Sequence, residues 1–184
     1  MDDKNFLKTA VKQFTYYKSL GEKTFNQLSE GDLFYQPNPD SNSIAIIVNH
    51  MSGNMASRWT DFLTTDGEKE WRQRDEEFED VIKTREELIN QWEKGWQLVF
   101  KAMDEINEHN FGQLVYIRNQ GHTITEAISR QLCHYSYHVG QIVYLGKMMQ
   151  GGDWTSLSIP KGNSNQYNSE KFNKPKERGH FTDE

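Results

Sequence analysis

In the stretch "RQLCHYSYHVGQIVYL" (130–145), His134 and His138 stand four residues apart. Neutral imidazole is the commonest metal ligand among side chains and reaches a divalent ion at about 2.0–2.1 Å. On a helix, a four-residue step sets two rings on one face with Cβ atoms about 5–6 Å apart. Both can then converge on one ion. A pair alone is a weak signal, because two histidines on a helix flank are more often hydrogen-bonded surface groups. A third donor is needed. His109 lies at a helix end ("NEHNFG"), where a cation suits the dipole, and His180 lies in a polar tail. His122 precedes the helix of the pair, roughly 18 Å along its axis from His134. His50 differs from these. It falls on a separate predicted helix, off the apolar stripe, beside the small or polar residues Gly53, Asn54 and Ser57. One histidine from that helix and two from the other make a three-histidine site with open positions, which is coordination of the catalytic type. Spacing leaves the plainer reading of all three as surface histidines open.

The surroundings of such a site are less legible. Asn54, Arg58 and Gln141 lie on the faces from which a side chain could orient a ligand or support a histidine, with solvated surface as the alternative. No carboxylate on the two histidine helices stands out as a general base. Asp61 is nearly three turns from His50, and Tyr137 points outward on the wheel. Cys133, one residue from His134, projects about 100° away and reads as a buried or partly buried thiol. The H-E-x-x-H pattern of zinc proteases is absent, and no nucleophile elbow, P-loop or dinucleotide fingerprint follows a strand.

Four helices must position these groups. The first spans about 3–28, with Leu7, Ala10, Phe14, Tyr17, Gly21 and Leu28 at three- and four-residue steps. Breakers in "SEGD" and "QPNPDSNS" end it. The second fits 43–65, capped by Ser41 or Ser43, with Ile44, Val48, Met51, Met55, Trp59 and Phe62 in one stripe. The third fits 84–108 and opens with capping-box spacing from Thr84 to Glu87. The fourth opens with a second such box, Thr123 to Glu126, and stops at Gly151. Between the last two, "GQLVYIRNQGHTI" alternates as a short β-hairpin would, with Gly121 as the expected turn residue. The fold class expected is all-α, a four-helix bundle of residues 1–152. Residues 153–184 form a polar tail, its Trp154–Pro160 portion apolar enough to pack on the bundle or lie over the site, its end mobile.

Composition narrows the partners. The 184 residues include five Trp and carry a net charge of -6. Nucleic-acid binding needs a basic patch, and none is visible. The densest charge run, "DGEKEWRQRDEEFED" (66–80), is predominantly acidic and reads as a solvated connection. A single cysteine excludes an intramolecular disulfide. No apolar run suggests a signal peptide or a membrane span, so the cytoplasm is the expected compartment.

"SNSIAIIVNHMSGNMASRWTDFL" and "EAISRQLCHYSYHVGQIVYLGKMM" resemble the second and fourth helices of the DinB-like family, and "WTSLSIPKGNS" resembles the tail of an uncharacterised branch of it. The similarity runs through nearly the whole chain, weakest over 66–83. It implies a DinB-like four-helix bundle whose metal triad falls on His50, His134 and His138. It further implies one divalent ion, zinc or nickel foremost and manganese or iron as alternatives, and a homodimer. Relatives of this kind include metal-dependent hydrolases and thiol-dependent transferases and isomerases. Two enzymatic expectations follow: transfer of a low-molecular-weight thiol to a small-molecule substrate, favoured slightly, and metal-assisted hydrolysis. A metal- or ligand-binding stress-response protein without catalysis is the third expectation.

Overall fold

Capping side chains mark where the long helices begin. In the computed structural model, which describes residues 3–183, Ser43 accepts a hydrogen bond from Ile46 N and opens helix α3. Thr84 and Glu87 form a reciprocal capping box at α4, and Thr123 and Glu126 form another at α5. Each satisfies backbone donors that a helix start leaves orphaned. The described elements are α1 (Asp3–Phe25), α2 (Glu30–Phe34), α3 (Ile44–Trp59), α4 (Arg85–Glu105), β1 (Leu114–Ile117), β2 (Gln120–Thr123), α5 (Ile124–Gln150) and α6 (Ser164–Phe172). The chain is thus mostly helical, with one small antiparallel hairpin. No described helix is long and apolar enough to cross a membrane.

Several features differ from the sequence expectation. The first helix stops at Phe25, because "SEGD" is itself a capping box: Ser29 accepts from Asp32 N while Asp32 accepts from Ser29 N, which starts α2. The second stops at Trp59 because Asp61 turns left-handed at φ 48° and its carbonyl takes the N–H groups of Thr64 and Thr65. Aspartate tolerates that conformation better than most residues. The hairpin turn is Arg118–Asn119, at φ 54° and 60°, while Gly121 sits within β2 opposite Tyr116. Arg118 gains little from a left-handed backbone by itself. The two carboxylate oxygens of Asp66 hold it there, accepting from Arg118 N and Asn119 N at 2.8 Å each. The tail, aperiodic in sequence, contains α6, none of whose residues is buried.

Helix α3 packs against α4 and α5, and α1 against the same two. Each of these four helices sends one aromatic ring to a common point. Phe14 of α1 lies 5.8 Å from Trp59 of α3, 6.1 Å from Trp96 of α4 and 6.0 Å from Tyr135 of α5. Tilted and edge-on pairs of this kind add to the burial energy of the rings themselves. Helices α3 and α4 approach so closely that a Cβ on Gly95 would sit 2.8 Å from Met55 Sδ and 3.2 Å from the Ser52 Cα.

Gly95→Ala should therefore lower stability by about 1–3 kcal/mol through overpacking, although alanine is the better helix former by about 1 kcal/mol. Urea unfolding monitored by Trp fluorescence checks the sign; a stabilised variant would contradict the close α3–α4 contact.

Candidate metal centre

Helices α3 and α5 place the three histidines by their rotation. Tyr135 is fully buried, and its hydroxyl is held from α3 alone: Trp59 Nε1 donates to it at 2.8 Å and it donates to Asn54 Oδ1 at 3.2 Å. Burial raises the pKa of this hydroxyl, against a lowering from the Trp59 bond, so it remains a donor. With Tyr135 facing inward, His134 is turned about 100° toward the α3 seam, and His138 stands one turn farther along. His50, on α3, faces both.

The result is a cluster of imidazole nitrogens. His50 Nε2 lies 3.4 Å from His134 Nε2, and His138 Nε2 lies 3.1 Å from the same atom. One ligand nitrogen from each ring falls within 4.8 Å of the others. A tetrahedral ion with nitrogen ligands at 2.0–2.1 Å separates them by roughly 3.3 Å, so two of the separations already suit a shared cation.

Hydrogen bonds on the far side of two rings fix their tautomers. His50 Nδ1 donates to Glu77 Oε2 at 2.9 Å, since a carboxylate only accepts. His138 Nδ1 donates to Gln141 Oε1 at 2.8 Å. Both Nε2 atoms are therefore the ones turned toward the centre, and in the neutral ring each offers a lone pair there. Burial first, then the nearby His138 and His50, holds His134 at about 3. Burial likewise lowers His138, against an upward pull from the Gln141 bond. His134 and His138 are thus neutral at neutral pH. One proton on His134 Nε2 could satisfy only one of the two facing lone pairs, whereas a single cation satisfies all three nitrogens. The donor set fits a borderline divalent metal with no carboxylate in contact.

Behind His50 lies a buried ionic chain. Glu77 is 7% exposed, and Arg72 grips its two oxygens through Nε at 2.7 Å and Nη2 at 2.8 Å. Burial pushes Glu77 upward, but the bonds from His50 and Arg72 outweigh it and hold the carboxyl below its ordinary value. Arg72 Nη1 then reaches Glu68, which also accepts from Arg58. The run 66–80 is thus only in part the solvated connection expected of it: Gly67, Glu77 and the Arg72 side chain are buried, while Glu70, Trp71, Gln73, Arg74, Asp75 and Glu76 are exposed. Its small-residue neighbours on α3 explain how it fits: a Cβ on Gly53 would fall 2.6 Å from Glu77 Oε1, and Ser57 donates to Gly67 O at 2.7 Å. The small face of α3 receives this segment. Phe78 completes the wall, stacked on the His50 ring at 4.5 Å.

The other expected residues divide between the site and its scaffold. Gln141 supports His138 directly. Asn54 and Arg58 are buried and bonded within the scaffold, Asn54 to Tyr135 and Arg58 to Gly67 O and Glu68. Cys133 is exposed, contrary to expectation, because it sits on the side of α5 away from the packed seam. Tyr137 is 63% exposed, its ring 5.0 Å from that of His138. The candidate cover at 154–160 lies elsewhere: Thr155 exchanges hydrogen bonds with Gln27 at the end of α1, and Trp154 packs near Gly146. Sequence reasoning missed Glu77 and Arg72. The available signal was the aromatic residues Trp71 and Phe78 inside a charged run, of which Trp71 is exposed and Phe78 packs on His50.

The family model described as "Protein of unknown function (DUF1572)" matches residues 2–163. The chain belongs to this family. The DUF1572 match takes in α1 to α5, the hairpin and all three clustered histidines, and ends before α6. A comparison with curated proteins returned no match.

Glu77→Gln, which removes the charge that fixes the His50 tautomer, should weaken divalent-metal binding by about 10–100-fold while the fold persists. Chelator competition on wild type and variant measures this. Equal affinities would show that Glu77 does not support the site.

Proposed function

We propose that the chain is a DinB-like four-helix bundle that binds one divalent ion through His50, His134 and His138 and transfers a low-molecular-weight thiol to a small-molecule electrophile. The observation that carries this reading is the approach of three imidazole nitrogens to within 4.8 Å, two of them with tautomers fixed from behind. A bound divalent ion supplies Lewis acidity, which favours the anionic form of a thiol or water.

The chain's own residues supply position and environment. Glu77, itself held by Arg72, aims His50; Gln141 aims His138; burial keeps His134 neutral. The aromatic rings of Phe78 and Tyr137 flank the cluster, the second of them exposed, and suit a small apolar or mixed substrate entering from solvent. Thiol transfer is preferred over hydrolysis because it asks least of an acid–base residue. A thiol ionises near pH 8.5 unaided, and the buried carboxylate next to the cluster, Glu77, is occupied by Arg72 and His50. Zinc and nickel suit three imidazoles best, with manganese or iron as alternatives. We further propose a homodimer, on the DinB-like resemblance, and a cytoplasmic location, on the sequence pattern.

The test is a screen of metal-loaded protein with small thiols plus electrophiles, beside a panel of esters and amides. The reading expects conjugate formation that His138→Ala reduces by at least two orders of magnitude. Ester or amide cleavage without conjugation would favour a hydrolase, and fully loaded protein inactive in both arms would favour a binding protein.

A further inference from the structure

We propose that one internal water is bound between Arg58 and Gln131, joining α3 to α5 beside the histidine cluster. Two polar atoms point to it. Arg58 Nε and Gln131 Oε1 are both shielded from solvent and have no hydrogen-bond partner among the described residues. The residues are 7% and 4% exposed. Both line the same small cavity of about 10 Å³, whose other walls include Trp59, Phe62, Val115 and Ala127. That volume matches one water and is too small for an organic ligand.

The chemistry is complementary. A water accepts from Arg58 Nε–H and donates to Gln131 Oε1, so a donor and an acceptor that would otherwise each forfeit a hydrogen bond are satisfied together. The guanidinium cannot swing away to find another partner. Its Nη1 donates to Gly67 O and to Glu68, and Gly67 is held in turn by Ser57 Oγ and by a bond from Gly67 N to Tyr116 O at 2.7 Å. If the Gln131 amide were turned round, its NH₂ would face the same point and the water would accept from both groups. Either orientation calls for the same molecule.

Its position gives it a role. Arg58 lies about two turns beyond His50 on α3, and Gln131 lies one turn before His134 on α5. The water therefore ties together the two helices that carry the cluster, along the flank where the 66–80 segment and the hairpin pack. Arg58 and Gln131 become scaffold groups, and neither is left free to contact a substrate.

A high-resolution crystal structure of the full chain should show one well-ordered water within hydrogen-bond distance of both atoms. Arg58 Hε should also show cross-relaxation with a long-lived water in solution. Gln131→Met, close in volume but without the amide, should lose both signals and lower Tm by roughly 2–4 °C. Direct contact between Arg58 Nε and Gln131, protein density filling the cavity, or a halide identified there by anomalous scattering would overturn the proposal. The wild-type measurements decide the matter even if the variant fails to fold.

Discussion

Tyr135 cannot be buried without partners for its hydroxyl, and that requirement sets the rotation of α5. Both partners, Trp59 and Asn54, stand on α3. The ring itself meets Phe14 of α1 and Trp96 of α4. A polar group left unpaired at this depth would cost about 1–3 kcal/mol, so the alternatives in which α5 rolls or slides by a residue are penalised twice, by packing and by desolvation. Once Tyr135 is fixed, the neighbouring His134 and the next-turn His138 have nowhere to point except along the α3 seam. The cluster is thus a consequence of core packing on rigid helices, the arrangement that holds a site most precisely.

The buried chain from His50 through Glu77 and Arg72 to Glu68 has a different logic. Taking such charges out of water seldom stabilises a protein, and a packed apolar substitute is often as good. Its bidentate geometry and the pocket left by Gly53 make it tolerable. What it adds is a fixed ring orientation for His50, since a carboxylate that accepts from Nδ1–H leaves Nε2 as the atom turned to a cation. The desolvation cost is borne in a segment outside the long helices, where a loop can adapt to the ligand it supports.

The long helices were legible because their information is local. Period, the capping boxes at Thr84 and Thr123, and Gly151 at the end of α5 are written within a few residues of where they act. The alignment of His50 with His134 and His138 was legible from spacing plus a family resemblance. The buried part of 66–80 was not, because composition counts its charges as solvated, whereas Glu77 and Arg72 pair with each other and Glu77 meets His50, twenty-seven residues earlier. The hairpin turn was misplaced for the same reason: Asn-Gln-Gly suggests Gly121, but Asp66, fifty-two residues before Arg118, stabilises the positive φ at Arg118 and Asn119. Local signals also hid α2, whose capping box at Ser29 looked like a breaker.

The central claim is that three histidines on two helices hold one divalent ion. Elemental analysis of purified wild type, beside a variant carrying His50→Ala, His134→Ala and His138→Ala whose helical circular dichroism matches it, tests that claim most directly. The account predicts about one equivalent of a divalent transition metal per chain in the wild type and none in the variant. Equal metal content in the two would contradict it.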